Sequence, residues 1–142
     1  MEAAPMFEML DNVIAGVARR SATHYQKQAG VHTVIYPFED GRSQVVTVSH
    51  ISSWSGRRQI IVYSIIGEFD AELDLSEILK YSLRVNHARL CMIQDKYLAI
   101  SASLDPEECE RSRLFSAIEH RVREVALMAD NLEQEFFGVD VF

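Results

Sequence analysis

Five histidines (His24, His32, His50, His87 and His120), two cysteines (Cys91 and Cys109) and the acid pair Glu107-Glu108 are the side chains of this 142-residue chain best able to bind a metal, attack a carbonyl or move a proton. Their spacing supports none of these chemistries. Two metal-ligating histidines on one helix face need an HxxxH or HExxH separation, and neither occurs. The cysteines lie far apart and outside any CxxC pattern, which reads as two free thiols in small apolar sites. Glu107 and Glu108 follow Asp105-Pro106, a cap and a first-turn proline, so the acids are expected to face the positive end of a helix dipole. His87, beside Asn86 at a helix end, reads as a capping or surface residue rather than a general base. No serine sits in GxSxG, and neither GxxxxGK[ST] nor GxGxxG is present. The expectation is a non-enzymatic protein with no metal and no cofactor.

Composition narrows the partners. Apolar residues make up 48% and charged residues 25%, as in folded domains, and residues 1–142 read as one domain. Phosphate binding rests on clustered Lys and Arg, whereas the formal charge here is -7 and the basic pairs Arg19-Arg20 and Arg57-Arg58 are too few to reverse it, so no nucleic-acid partner is expected. An acidic surface suits a protein that keeps an aggregation-prone or basic partner soluble. Met1 to Pro5 carry no basic lead into an apolar stretch, and nothing approaches the roughly 18 apolar residues of a membrane span, so a cytoplasmic protein without a membrane partner is expected.

The elements that would position any site follow from periodicity. Phe7, Leu10, Ile14 and Val17 recur at helical steps, with Ser21 and Tyr25 extending the stripe, which predicts a helix from Pro5 to about Gln28 stopped by Gly30. Val31 to Phe38 and Ser43 to Ile51 read as a hairpin whose Asp40-Gly41 is expected to form a type I′ turn. After a loop holding Trp54, which either anchors a partner or folds back on the core, comes Arg58 to Ile66. Its run Ile60-Ile61-Val62-Tyr63-Ser64-Ile65-Ile66 is apolar on both faces, so either helices cover both sides of the sheet or one side receives another chain. Asp74 with Glu77 caps a short helix carrying Leu75, Ile78, Leu79 and Leu83. Ala88 to Gln94 and Tyr97 to Leu104 form a second hairpin, and Leu114, Ile118, Val122, Val125, Ala129, Leu132 and Phe136 stripe a last helix from Asp105 to Gly138, ahead of the apolar tail Val139 to Phe142.

This α+β order, α-β-β-β-α-β-β-α around an antiparallel sheet, resembles the type III secretion chaperone-like fold of the Tir-chaperone-type and YbjN-like families. The textual likeness runs from about Leu75 to Phe137 through Ile78-Leu79-Lys80-Tyr81-Ser82-Leu83-Arg84-Val85-Asn86, the strands with Ala88-Arg89-Leu90 and Tyr97-Leu98-Ala99-Ile100, and Ala126-Leu127-Met128-Ala129-Asp130-Asn131-Leu132-Glu133. The resemblance implies a small acidic cytoplasmic homodimer binding a polypeptide, either an effector or, in a YbjN-like regulatory module, another protein. It implies partner contacts on the first helix and the sheet, which on the helix would be Phe7, Leu10, Ile14 and Val17; should that helix be only structural, the recognition surface is expected at the Trp54 loop or the sheet face carrying Tyr63. The dimer interface is expected near Ile78, Leu79, Leu83, Leu90 and Met92. The Trp54 loop and the apolar tail depart from the secretion chaperones.

Overall fold

The computed structural model describes residues 3–21, 24–52, 54–84 and 87–137, with the side chains of 3–7, 21, 24 and 82 left out of the description. The amphipathic start of the chain forms α1, Ala3–Ser21, shorter than its stripe predicts. The remainder of that predicted helix is a strand, β1, His24–Gln28, joined to β2, Val31–Pro37, through Ala29 and Gly30 at φ 53° and 78°. Two consecutive positive φ values close a two-residue hairpin, so Gly30 serves a turn rather than a helix stop.

β3, Ser43–Ser52, pairs antiparallel with β2, but not through the expected type I′ turn. Of Asp40 and Gly41 only Gly41 has a positive φ (88°), Gly41 N donates to Phe38 O at 3.2 Å and Phe38 N to Arg42 O at 2.9 Å. This is the three-residue loop of a type I turn followed by a left-handed glycine. β4, Arg58–Glu68, follows, with a register shift between Ile65 and Gly67. The Asp74 cap is as the sequence predicts: its Oδ1 accepts from Glu77 N at 3.2 Å, opening α2, Leu75–Lys80, which tightens into a 3-10 turn at Tyr81–Arg84.

The second hairpin is β5, Arg89–Ile93, with β6, Tyr97–Leu104, turned through Gln94 and Asp95 at φ 54° and 53°. α3 spans Arg111–Leu132 and ends in a π-helical turn, Glu133–Phe137. Its start differs from expectation because Asp105 is committed elsewhere. The carboxylate of Asp105 accepts from Glu107 N at 2.9 Å and pairs with Arg57 at 3.0 Å, so Asp105 to Glu108 form a turn ahead of the helix. The predicted end at Gly138 and the tail Val139 to Phe142 lie outside the described residues.

The six strands make one antiparallel sheet in the order β1-β2-β3-β4-β6-β5, one strand more than the sequence predicts. α1 and α3 lie side by side on one face, where Leu10, Ile14, Leu114, Ile118, Val122, Val125 and Leu132 meet Val34, Val46, Val48, Ile60, Val62 and Ile100, each at most 2% exposed. Gly16 lets the Phe115 ring of α3 approach within 3.2 Å of where a β-carbon would stand, so the two helices can lie close. The stripe on α3 is buried from Leu114 to Leu132, as its period requires.

Candidate binding face

Strand alternation divides β4 cleanly. Ile60, Val62, Ser64 and Ile66 point into the core beneath the helices, whereas Gln59, Ile61, Tyr63 and Ile65 are only half-buried on the other face. The register carries the same division across the sheet: Thr33 pairs with Thr47, Thr47 with Tyr63 and Tyr63 with Ser101, while Ile61 lies between Ser49 and Ser103. Val45, Ile61, Tyr63 and Ile65 all stand outside the core cluster. Among the described residues no helix covers this face; α1 and α3 pack on the opposite one and the α2 residue Ile78 enters the same core. At the face-forward positions within 31–35, 45–51, 59–65 and 99–103 there is no charged side chain. Serines and threonines alternate there with Val, Ile and Tyr. An antiparallel sheet with one solvated side usually turns polar residues outward, so this is more apolar surface than folding needs.

Two hollows mark the face. Val45, Thr47, Tyr63 and Ile65 line one of about 280 Å³. Ile51, Trp54, Ser55, Arg57, Gln59, Ile61, Ser103 and Asp105 line another of about 450 Å³ where β3 turns into β4. Trp54 is 99% exposed, which settles its two readings against folding back on the core. Beside it Arg57 bridges Asp105 at 3.0 Å, Glu107 at 3.3 Å and Glu108 at 3.4 Å, so these acids fasten the Trp54 loop to the end of β6 rather than serving the helix dipole.

The other expected contact residues divide by burial. Leu10, Ile14 and Val17 are 0, 1 and 2% exposed, so these three side chains are spent holding the helix to the sheet. The side chain of Phe7 lies outside the described residues. Tyr63 stands on the open face. Of the expected dimer contacts, Ile78 is fully buried in the core and Leu90 is half-buried, whereas Leu79 (53%), Leu83 (88%) and Met92 (46%) are exposed. Both cysteines are free and half-buried.

One cluster has no signature in the sequence. Asp11 of α1 accepts from His32 Nε2 of β2 at 2.8 Å, His50 Nε2 of β3 at 3.2 Å and Lys27 Nζ of β1 at 3.1 Å, while Tyr25 Oη meets His32 Nδ1 at 2.7 Å. An ionised carboxylate only accepts, so both Nε2 atoms carry protons, and Nδ1 of a neutral His32 then accepts from the phenol. Burial pushes Asp11 up, but hydrogen bonds from His32, Lys27 and His50 outweigh it and hold the carboxyl below its ordinary 3.8. Burial raises the Tyr25 phenol above 10.0. His32 is fully buried, so the cluster ties α1 to three strands instead of meeting a substrate. Asp11, His32 and His50 come from three elements, and nothing in their spacing could have joined them. Among the described residues no group of three or more His, Cys, Asp or Glu side chains is placed to hold a metal ion.

A further cleft of about 610 Å³ runs between β6 and the start of α3, lined by Ser103, Asp105, Glu108, Cys109, Glu110, Arg113 and Arg121 among others. Its most buried cation is already used: Arg121 donates to Ser103 O at 2.9 Å and Ala117 O at 3.2 Å, and burial lowers its pKa. His87 is exposed, its Nδ1 lies 3.4 Å from Arg121 Nη2, and the backbone amides of His87 and Ala88 both donate to Glu124 Oε1 at 2.7 Å. Among the described residues no helix is long and apolar enough to cross a membrane. No protein-family model matches the chain, and no curated protein matches it either.

Proposed function

We propose that this chain is a non-enzymatic, homodimeric polypeptide-binding protein of the type III secretion chaperone-like kind, and that its partner lies on the open face of the sheet. The observation that carries this reading is the face itself: Val45, Thr47, Ile61, Tyr63 and Ile65 form an uncharged floor with no helix among the described residues over it, ending at the fully exposed Trp54. A sheet surface of this kind gains by receiving another chain, and extended or helical segments are the occupants whose side chains match its spacing.

A specific observation favours the YbjN-like branch, in which the partner is not a secreted effector. The secretion chaperones that the sequence resembles hold effectors partly on the first helix, and here Leu10, Ile14 and Val17 are at most 2% exposed.

A photo-crosslinking residue at position 63, compared with one at the helix-side surface position 123, tests the reading in the native cell. Crosslinks to a polypeptide at 63 and not at 123 support it; equal yields refute the face. Sedimentation equilibrium tests the dimer, and a monomer at tens of micromolar overturns that part.

A further inference from the structure

Along β2, β3, β4 and β6 the floor of the open face is uncharged; Arg89 of β5 stands at its edge opposite Ser101, and the Trp54 end is charged as well. There one guanidinium, Arg57, is met by the three carboxylates of Asp105, Glu107 and Glu108, which leaves negative charge in excess. Glu107 and Glu108 are 48% and 70% exposed at their side chains, so this charge faces water rather than the core. Arg113 and Arg121 line the neighbouring cleft together with Glu110, and the whole chain carries -7. Trp54, 99% exposed at the same corner, offers an indole face, the best of the aromatic surfaces for a cation. From Gln59 to Ile65 the floor runs about 20 Å at the rise of a strand, the reach of a short extended segment.

Resting on the reading of this face as a polypeptide site, we infer that the segment it takes is apolar along its length and ends in Lys or Arg at the Trp54 corner. The apolar side chains fill the hollow at Val45 and Tyr63, while the cation lies over the indole and against Glu107 and Glu108.

Trp54 is the sole tryptophan, so its emission reports occupancy of its own corner. The full chain is titrated with three synthetic peptides of equal length: one alternating Ile with Thr and ending in two lysines, one ending in two glutamates, and one keeping the lysines with Ser in place of Ile. The first is expected to bind about tenfold more tightly than either other at low salt, and to weaken as salt is added. The double variant Glu107→Gln, Glu108→Gln should erase the preference for lysine. If the lysine and glutamate peptides bind equally and Tyr63→Asp weakens both, the charge inference falls and the sheet-face reading stands. If no peptide binds, or Tyr63→Asp changes nothing, both fall. If Tyr63→Asp converts a dimer to monomer and no peptide binds, a second copy occupies the face and the inference is overturned. Val45→Ser replaces Tyr63→Asp should the latter lower the melting temperature.

Discussion

Arg42 and Asp130, 88 residues apart, meet in a two-point ion pair, Nη2 to Oδ2 at 2.7 Å and Nε to Oδ1 at 3.2 Å. It fastens the β2–β3 turn to the end of α3. Asp130 is only 4% exposed and takes a further bond from Gln134 Nε2 at 3.0 Å. Removing the guanidinium leaves a buried carboxylate short of its main partner, so Arg42→Ala should cost about 2–3 kcal/mol. Asp130→Asn, which removes the charge as well, should cost less when the two are compared by urea denaturation. Equal and negligible losses would show that the pair is ornamental.

The Asp11 cluster predicts a pH dependence. The folded pKa of Asp11 lies below 3.8, so its contribution to stability is present above the unfolded value and is lost as the pH falls through the lower folded one. Asp11→Ala strands the buried His32 Nε2–H and should cost about 1–3 kcal/mol near neutral pH. The gap between wild type and variant, followed by thermal melting, should narrow as the solution is made acidic below about pH 4. A gap that widens on acidification would contradict the assigned protonation.

Gly67 supports the end of the π-helical turn that follows α3. A β-carbon there would stand among the ring atoms of Phe137, with Cζ at 2.7 Å. Gly67→Ala should therefore displace the ring and lower the melting temperature, whereas adding Phe137→Ala should recover part of the loss. The double-mutant coupling energy is the measurement; additive losses would mean that the two do not share this seat.

Leu83, 88% exposed, and Ile78, fully buried, were both expected at a dimer interface, and their burial now separates association from folding. Leu83→Asp should weaken the proposed dimer in sedimentation equilibrium without moving the melting temperature. Ile78→Asp should prevent folding, because an unpaired carboxylate would enter the core.

What could be read in advance was whatever had a period. The stripes of Ile14 and of Leu114 to Leu132, the Asp74 cap and the two-sided run Ile60 to Ile66 announced themselves; the last of these left open whether helices cover both faces, and among the described residues they cover one. β1 was hidden because Tyr25 falls one turn beyond Ser21 and so continues a helical pattern; five residues with Tyr25 and Lys27 on the helix side are too few for alternation to override it. The start of α3 was misplaced because Asp105-Pro106 has the composition of a cap, and nothing local reveals that Arg57 claims the aspartate. The Asp11 cluster and the Arg57 bridges depend on tertiary pairing and leave no mark in spacing.

The strand order sets how this sheet can assemble. β1 to β3 each join the next strand along the chain, but β4 skips β5 and pairs with β6, bringing Glu68 to Tyr97 across the segment that holds α2 and β5. That seam bears the entropy of closing the intervening loop before its contacts repay it. α3 packs on β3, β4 and β6, so its full seat exists only after the seam has closed. Truncating Val62 at the seam should thus slow folding, while truncating Val34 in the outer hairpin should chiefly hasten unfolding, a division that chevron kinetics would reveal. The strand whose outer face no helix among the described residues covers is then also the one on which the pace of folding turns.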